Sequence, residues 1–325
     1  MDDRSTEGES MRNLEGQRIV ITGATGFIGR NVAEQLLAQG ARVFALVRPE
    51  SRQRRSLPVH EHLTWIEATM EEAESCAPLI GHADGFLHFA WGGVNREEID
   101  SPEVQASNVD GSLTCLEAAR KLGCQVFMDA GSRVEYGITA DGTMEEAMEC
   151  HPVNAYGRAK LEFAKKAEAF CSQNQMTFYH LRFFSVYGTG DHPWSIISTL
   201  VRELPQNHKV SLSACLHRWN FMEISDAARA VTELYRFSDL HEGECRVVNV
   251  ASEDTRTLRE FVEEIHRICG EKGSLEYGTF VQAKEGALSI CPVVRQLKAL
   301  TEETWQEQVS FKKGIRRMLE EEYGG

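Results

Sequence analysis

The sequence lacks any apolar run long enough to cross a membrane, and it lacks an excess of positive charge. A membrane-spanning helix needs about 20 mostly apolar residues in a row. The formal net charge is −14, which argues against a broad surface for the phosphates of a nucleic acid. The first ten residues, MDDRSTEGES, contain no apolar stretch and do not resemble a signal peptide. We therefore expect neither a membrane nor a nucleic-acid partner, and we interpret residues 1–15 as a disordered tail.

Paired cysteines are also missing. The nine cysteines are odd in number and scattered, with no CxxC pair and no Cys/His cluster typical of a metal site. Cys115 and Cys124 lie in apolar patterns typical of core thiols. This usage predicts a reducing compartment, which we take to be the cytoplasm, and no metal centre.

Short apolar runs alternate with longer amphipathic ones in the first half of the chain. The runs that predict buried strands are residues 18–22, 41–47, 85–90, 124–130 and 177–184. The segments that predict helices are residues 27–39, 103–122 (closed by Gly123) and 155–170. This alternation predicts an α/β fold of the Rossmann type, a doubly wound parallel sheet covered on both faces.

The regular alternation of strand and helix patterns ends after about Ser185, where loops rich in Gly, His and Pro surround short elements. We therefore expect residues 16–184 to form a dinucleotide-binding Rossmann domain. Residues 185–325 are expected to form mainly a smaller, interwoven substrate-binding domain. The apolar run at 247–250 is expected to return to the large sheet.

A glycine-rich loop, TGATGFIG at residues 22–29, follows the first predicted strand and opens the first predicted helix. In such a loop one glycine permits a tight turn, the second lets the backbone approach a pyrophosphate, and the third lets helix and strand pack closely. The helix N-terminus adds free N–H groups and a partial positive charge. The predicted dinucleotide-binding residues here are Gly23, Thr25, Gly26, Phe27, Ile28 and Gly29.

Tyr156 and Lys160, in AYGRAK, lie four residues apart and so share one helix face. An ammonium near a phenol favours the phenolate and lowers its pKa from the usual value of about 10. Ser132, in GSRVEYG, is placed just past the strand predicted to end at Ala130. Its hydroxyl can bond a substrate oxygen while Tyr156 moves a proton. We predict a catalytic trio, with Lys160 also holding the ribose hydroxyls of the cofactor.

Further motifs accompany these: LHFAWGG (87–93), NVDGSL (108–113), LRFFSVYG (181–188) and RWNFMEISDAARAV (218–231). With them, residues 17–320 resemble the extended short-chain dehydrogenases/reductases, also called the epimerase/dehydratase family. The resemblance implies an NAD(P)-dependent enzyme acting on a nucleotide-activated sugar. It implies that Ala90 lines the cofactor ribose or pyrophosphate and that Asn108 supports the active-site helix. It also implies that Phe184 and Ser185 lie near the nicotinamide and sugar, and that Arg218 faces the nucleotide diphosphate.

Two positions depart from the family pattern. Ser185 stands where Asn is frequent, and Thr69 stands where an acidic residue commonly follows the third strand, so one nucleotide contact and adenine recognition are expected to differ. Trp91 and Trp219 are interpreted as walls of the sugar site, with simple packing as the alternative. Arg133, next to Ser132, is assigned to substrate binding with them.

The end of the second predicted strand bears on the choice of cofactor. NAD-binding members usually carry an acidic residue there for the ribose 2′-OH, whereas this chain reads LVRPESRQRR. Arg48, followed by Arg52, Arg54 and Arg55, suits a 2′-phosphate, which a guanidinium can bind with two hydrogen bonds. The loop favours NADP(H). Glu50 keeps NAD(H) open, as does the interpretation of a solvated basic loop.

Three reactions are weighed within the family. Its dehydratases add a carboxylate pair directly after the active-site hydroxyl, but here Arg133 and Val134 follow Ser132, so dehydration is not expected. A 4-ketoreductase of a 4-keto-6-deoxy sugar nucleotide is favoured by the arginine-rich loop. A 4-epimerase that recycles tightly held NAD is the alternative, and a non-catalytic dinucleotide-sensing scaffold is remote because Tyr156 and Lys160 are both kept.

The helices predicted from Glu103 and Ala155 carry apolar residues beyond those needed to face one sheet. In the family that the chain resembles, these two helices form a four-helix dimer interface. By that analogy we expect a homodimer.

Overall fold

A computed structural model describes residues 11–49, 51, 59–280 and 289–323 of the chain. The strands, in chain order, are β1 (Arg18–Thr22), β2 (Arg42–Val47), β3 (Leu63–Glu67), β4 (Gly85–His88), β5 (Val126–Ser132), β6 (Thr143–Met144), β7 (Thr177–Phe183), β8 (Ser185–Tyr187), β9 (Lys209–Leu212), β10 (Arg218–Glu223), β11 (Cys245–Val250), β12 (Thr255–Thr257), β13 (Ser274–Tyr277) and β14 (Cys291–Pro292). The helices are α1 (Phe27–Ala38), α2 (Ala77–Ile80), α3 (Pro102–Leu122), α4 (Ala155–Gln173), α5 (Ile196–Glu203), α6 (Ile224–Arg236), α7 (Leu258–Ile268), α8 (Gln296–Leu300) and α9 (Phe311–Tyr323).

A seven-stranded parallel sheet forms the centre of the molecule, in the order β11-β7-β5-β4-β1-β2-β3. Helices α1 and α6 pack on one face, and α3 and α4 pack on the other. Because both faces are covered, strands such as β1 are apolar along most of their length. The predicted α/β fold with a doubly wound parallel sheet is confirmed. The strand order reverses between β1 and β4, and in such sheets ligands bind at the carboxyl ends of the strands beside that point.

Helix α3 illustrates how local sequence sets the element bounds. Ser101 precedes it, and its hydroxyl accepts a hydrogen bond from the N–H of Val104 at 3.4 Å. Gly123 ends the helix with a φ of 78°, in the left-handed region that favours glycine. The predicted start at Glu103 differs from the observed start at Pro102 by one residue.

A smaller unit gathers α5, α7 and α9 around β9, β10 and β13, with Phe221, Phe261 and Phe311 in its core. The chain also returns to the large sheet after residue 184. β11 pairs in parallel with β7 at the sheet edge, and α6 packs against α1. The second half of the chain thus contributes to both units, and the division at residue 184 stays a prediction.

The segment from residue 11 to residue 15 differs from the expected disordered tail. Arg12 and Leu14 are buried, and the Arg12 Nε donates to Asp239 Oδ1 at 2.9 Å. The side chain of Arg12 also lies over the ring of Tyr235 on α6. The tail prediction is therefore wrong for residues 11–15, because these contacts hold the segment against the large unit. Residues 1–10 lie outside the described part of the chain.

The outer faces of α3 and α4 are polar. Their exposed side chains include Asp110 and Lys165, whereas the large exposed apolar side chains of the described residues lie elsewhere, for example Trp194 and Leu216. The buried apolar residues of both helices pack against the sheet and against the neighbouring helix. The apolar surplus expected from the sequence is not observed, and the homodimer stays a prediction.

Within the described ranges, no helix combines the length and the apolar character that crossing a bilayer requires.

Candidate active site and cofactor cleft

The glycine-rich loop forms one wall of a cleft of about 640 Å³ at the carboxyl ends of β1, β2 and β4. Gly23 has a φ of 71°, and a Cβ there would lie 2.6 Å from the carbonyl carbon of Phe89. No larger residue fits that position without moving the backbone. Gly26 caps α1 without a side-chain hydrogen bond, so the first N–H groups of the helix are left for an anion. The cleft fits the pyrophosphate of a dinucleotide.

Several residues predicted to bind the cofactor line this cleft. They are Gly23, Thr25, Gly26, Arg48, Ala90 and Asn108. Phe27, Ile28 and Gly29 form the first turn of α1 and do not line it. Trp91, which the sequence placed in the sugar site, lines the cleft as well. Four polar residues that line the cleft were not predicted from the sequence: Ser51, Glu71, Glu103 and Ser107. Serine and glutamate are common in any sequence, so their presence indicates a site only once the fold brings them together.

Asn108 has a different role from the expected one. Its amide oxygen accepts the N–H of Gly92 at 2.8 Å, and its amide nitrogen donates to the Gly92 carbonyl at 3.0 Å. The resemblance implied support of the active-site helix. In the structure, Asn108 instead fixes the loop after β4, which forms part of the cleft wall.

Arg48 and Ser51 line the cleft directly after β2, at the end expected to hold the adenosine ribose. The backbone N–H of Ser51 donates to the Arg48 carbonyl at 3.0 Å, which brings the two side chains to one turn. Thr69 lines the cleft after β3. The other residues of the predicted basic loop, Glu50, Arg52, Arg54 and Arg55, lie outside the described residues.

A buried chain of hydrogen bonds runs beneath the cleft through His88, a residue without an assigned role in the sequence interpretation. Ser112 donates its hydroxyl to the Asn108 carbonyl at 2.7 Å, so its oxygen accepts from His88 Nε2 at 2.8 Å. His88 Nδ1 is then the acceptor for the Thr22 hydroxyl at 2.7 Å. Burial lowers the pKa of His88 to about 3 and keeps it neutral. Thr22 Oγ1 also accepts from the N–H of Ala90 at 3.3 Å, which joins β1 to the loop after β4.

The predicted catalytic residues come from the end of β5 and the start of α4. β5 runs to Ser132, two residues beyond the predicted end at Ala130, so Ser132 closes the strand rather than following it. Asn154 caps α4 by accepting the N–H of Gly157 at 2.8 Å. The N–H of Tyr156 donates to the Ile99 carbonyl at 3.1 Å. These contacts fix the helix turn that carries Tyr156.

Lys160 is buried, and it points at the backbone and an indole ring. Its Nζ donates to the Ala130 carbonyl at 2.7 Å and lies 3.5 Å from the centre of the Trp91 ring. The Trp91 ring meets the Tyr156 ring edge-on at 6.2 Å, and its Nε1 donates to Gln105 at 2.9 Å. Burial lowers the pKa of Lys160 to about 7, against the attraction of two buried carboxylates.

Tyr156 differs from the expectation that a nearby ammonium lowers its pKa. Burial raises the pKa of Tyr156 to about 12, and the Ser132 hydroxyl and the Arg133 guanidinium only partly oppose this rise. The loss of solvation outweighs these groups, and the ammonium of Lys160 lies nearer to Trp91 than to the tyrosine ring. Tyr156 is therefore a protonated phenol at neutral pH, ready to donate a proton.

A buried ion network fixes the Ser132 turn from behind. The N–H of Ser132 donates to Glu135 Oε1 at 2.6 Å. Glu135 Oε2 accepts from His180 Nε2 at 2.8 Å and from Arg182 Nε at 2.9 Å, and His180 Nδ1 lies 2.8 Å from Asp129. Both carboxylate oxygens of Glu135 are thus engaged, and one of them holds the backbone of Ser132 in place.

The charges of this network stabilise one another. Burial opposes the charge on His180, but the two carboxylates that flank its ring outweigh burial and raise the pKa of His180 to about 9. Burial likewise opposes the charge on Glu135, but His180 and Arg182 lower its pKa to about 2. Both groups are charged at neutral pH, as two oppositely charged partners in hydrogen-bond contact should be.

The residues predicted to bind the substrate are spread over a wider area. Arg133 lies over the ring of Trp219 at 5.3 Å, and burial lowers its pKa to about 10. Phe184 is buried against the Tyr136 ring, and Ser185 begins β8 half-buried. Arg218 is exposed and donates to the Thr255 carbonyl at 3.1 Å. The structure thus brings Arg133 and Trp219 together beside the catalytic turn, and it places Phe184 in a small core.

The chain matches a family model described as the NAD dependent epimerase/dehydratase family over residues 19–251. That range contains the glycine-rich loop and the three residues predicted to be catalytic. It also includes β11, the last strand of the large sheet.

Individual relatives share less of the sequence. A UDP-glucose 4-epimerase of Corynebacterium glutamicum is 23% identical over 315 residues, which cover 89% of this chain and 94% of that protein. A dTDP-6-deoxy-L-talose 4-dehydrogenase (NAD(+)) of Aggregatibacter actinomycetemcomitans is 26% identical over 251 residues, which cover 76% of this chain and 88% of that protein. The solved structure of MoeE5 in complex with UDP-glucose and NAD superimposes with a TM-score of 0.78 at 26% identity, covering 93% of this chain and 97% of that one.

Proposed function

This chain belongs to the NAD-dependent epimerase/dehydratase family and is an NAD(P)-dependent enzyme of the extended short-chain dehydrogenase/reductase type, and from that premise we propose that it is a 4-ketoreductase. Its substrate is a 4-keto-6-deoxy sugar nucleotide, and NADPH is the reductant. The rival within the family is a nucleotide-sugar 4-epimerase, the name that several relatives carry.

The composition of the catalytic turn carries the proposal. Elimination of water needs an acid and a base in addition to the tyrosine. Here Arg133 follows Ser132, and the nearest carboxylate, Glu135, is fully buried and engaged by His180 and Arg182. The turn therefore offers no carboxylate for dehydration. With dehydration set aside, the chemistry that this turn supports is the transfer of a hydride and a proton.

Tyr156 is protonated at neutral pH and can serve as the acid in a reduction. When bound, the dinucleotide supplies the hydride that reduces the C4 carbonyl carbon. Tyr156 gives its phenolic proton to the carbonyl oxygen, which becomes the product hydroxyl, and Ser132 donates a hydrogen bond to that oxygen. With a pKa of about 12 the phenol keeps its proton at neutral pH, so the acid form that a reduction uses is the populated one. An epimerase must use the same group as a base and as an acid in every cycle.

The proposed preference for NADPH rests on the end of β2. Arg48 and Ser51 line the cleft there, and a guanidinium beside a hydroxyl is a typical pairing for a 2′-phosphate. In the residues that the structure describes, the β2 end adds no carboxylate to the cleft lining. The talose 4-dehydrogenase carries NAD(+) in its name, so reaction and dinucleotide must be tested separately.

The deciding experiment uses one protein preparation in three measurements. The protein is first unfolded, and any released dinucleotide is identified by mass spectrometry. The folded protein is then given dTDP-4-keto-6-deoxyglucose with NADPH or with NADH, and dinucleotide oxidation is followed. In the third measurement UDP-glucose is supplied without added cofactor, and the formation of UDP-galactose is measured.

A reductase exchanges its cofactor in each turnover, so we expect little bound dinucleotide and oxidation of NADPH that depends on the keto sugar. Stoichiometric bound NAD, with interconversion of UDP-glucose and no keto-sugar reduction, would replace the reductase with the epimerase. Absence of both activities over a panel of nucleotide sugars would contradict the reductase and favour a non-catalytic dinucleotide-sensing scaffold.

We further propose a homodimer formed through α3 and α4, by analogy with the family. Because the outer faces of these helices are polar, such an interface would consist largely of hydrogen bonds and ion pairs. Light scattering at micromolar concentration should give twice the chain mass of 36.5 kDa. A monomer at that concentration would remove the proposal.

We also expect the enzyme to work in a reducing compartment such as the cytoplasm. All nine cysteines are free thiols in the structure, and six of them are buried in the core. Thiols in such positions are typical of proteins that do not rely on disulfides.

A further inference from the structure

A second cavity, of about 300 Å³, lies between α4 and the edge strand β11. We call it the β11 cavity. His180 and Arg182 of β7 line it, together with Leu161 and Lys165 of α4 and Val247 of β11. None of the residues that line it also lines the cofactor cleft. Its volume is at the lower end of the range for small-molecule sites, about 300 to 1,000 Å³.

Arg182 points to a ligand for this cavity. The residue is only 3% exposed, and its Nε donates to Glu135. Its Nη1 is buried and has no hydrogen-bond partner among the described residues. A buried donor without an acceptor is costly, and most such groups in proteins are paired. Arg182 lines the cavity, so a carboxylate bound there would bring an acceptor to this incompletely paired guanidinium, whose planar group matches a carboxylate best.

The charges at the rim restrict the ligand further. Lys165 lines the cavity and makes no ion pair with another described residue, whereas Arg246 is paired with Glu244 at 2.8 Å. Glu149 and Glu168 also line the cavity. These two carboxylates would repel a dianion such as phosphate, while a single negative charge can be held by Arg182 and Lys165.

The remaining wall is apolar. Leu161, Phe178 and Val247 contribute hydrocarbon and aromatic surface, which favours a ligand with an apolar body. We propose that the β11 cavity is a binding site for a small monocarboxylate with an apolar body, whose carboxylate lies against Arg182 and Lys165. The cavity shares no lining residue with the cofactor cleft, and this proposal does not rest on the proposed reaction.

Benzoate and benzamide provide the first test because they share a shape and differ in charge. Calorimetric titration into the protein saturated with NADPH should show one benzoate per chain, with benzamide at least about tenfold weaker. Equal binding of the two compounds would overturn the proposal. So would benzoate binding that NADPH abolishes, because that result would locate benzoate in the cofactor cleft.

Two lysines on α4 provide matched variants. Lys165→Gln removes the rim cation and should weaken benzoate binding about two- to fivefold, the usual range for a partly exposed ion pair. Lys166→Gln is the control, because Lys166 pairs with Glu162 at 2.7 Å and does not line the cavity. Both residues are exposed, so neither variant should affect folding. If the two changes weakened benzoate binding equally, the effect would come from the general surface charge and not from contact with Lys165 in the cavity.

Cys150 supplies a readout inside the cavity. Its thiol is half-buried and lines the cavity, whereas the half-buried Cys291 lies outside it. Benzoate should slow the alkylation of Cys150 by iodoacetamide relative to Cys291, as measured by peptide mapping, and benzamide should not. Unchanged alkylation of Cys150 at a benzoate concentration that saturates the calorimetric signal would place the ligand elsewhere and refute the site.

Discussion

The ammonium of Lys160 lies 3.5 Å from the centre of the Trp91 ring and donates to the Ala130 carbonyl. This pair links the wall of the cofactor cleft to the catalytic helix. Trp91 also meets the Tyr156 ring edge-on, so the indole contacts both members of the YxxxK motif. A cation over an indole face is stabilised by the ring quadrupole.

Tyr156→Phe removes only the proton donor. We expect kcat for keto-sugar reduction to fall by about 10² to 10⁴, the usual contribution of one acid/base group. The affinity for NADPH should stay within about twofold, because the ring and its contact with Trp91 are kept. Steady-state kinetic assays measure kcat, and fluorescence titration measures the affinity for NADPH. Wild-type kcat in this variant would exclude Tyr156 from the mechanism.

Lys160→Met should weaken both NADPH binding and turnover, because the lysine is assigned to the ribose as well as to the catalytic group. A loss of turnover with unchanged NADPH affinity would contradict the ribose role. The same variant tests the burial of the charge. The pKa of Lys160 falls from 10.5 to about 7 on folding, so between these values the unfolded chain binds a proton that the folded chain does not.

Wild-type stability should therefore rise with pH from about 7 to 10.5, and Lys160→Met should lack this rise. Without dinucleotide, the variant is expected to be the more stable protein at and below neutral pH, with the difference in Tm shrinking toward the upper end of that range. Thermal unfolding at several pH values gives the comparison. A variant that is less stable at every pH would show that the hydrogen bond to Ala130 outweighs the cost of the buried charge.

Glu135→Gln tests the positioning of Ser132. Three donors converge on this carboxylate, from Ser132, His180 and Arg182, and an amide group would turn one NH2 toward them. We expect kcat to fall about tenfold or more with a smaller change in KM, together with a lower Tm, because breaking a buried ion pair is costly. The activity is measured well below the Tm of the variant.

The matched control for this change is Glu149→Gln, since Glu149 is exposed and holds only a loose pair with His151. It should leave kcat and Tm unchanged. If Glu135→Gln lowers the Tm but leaves kcat intact, the network is purely structural and does not position the catalytic serine.

Arg48→Ala tests the choice of dinucleotide. A charged hydrogen bond to a 2′-phosphate contributes roughly 1.5–3 kcal/mol, or about ten- to a hundredfold in affinity. NADPH should lose that much affinity while NADH binding stays nearly constant. Arg42→Ala is the control, because Arg42 is exposed at the start of β2 and does not line the cleft. Equal affinities of the wild type for NADPH and NADH would contradict the proposed preference.

The sequence alone determined the order and type of the main elements. Short apolar runs and helical patterns, together with Gly123 and the loop of residues 22–29 as boundary signals, gave bounds within a few residues for β1, α1, α3 and β7. These signals are local, because they depend on backbone geometry and on which side of an element is buried. The same locality placed Tyr156 and Lys160 on one helix and Ser132 at a strand end.

Tertiary structure decided the properties that depend on distant partners. The raised pKa of Tyr156 follows from burial, which no spacing of residues reveals. The expected role of Asn108 changed because the loop after β4 folds back onto α3. Glu135 is far in sequence from His180 and Arg182, and its charge meets theirs only because β5 and β7 are neighbours in the sheet. Solvation and electrostatics act through space, so residue types along the chain could suggest the chemistry of this site but could not set its pKa values.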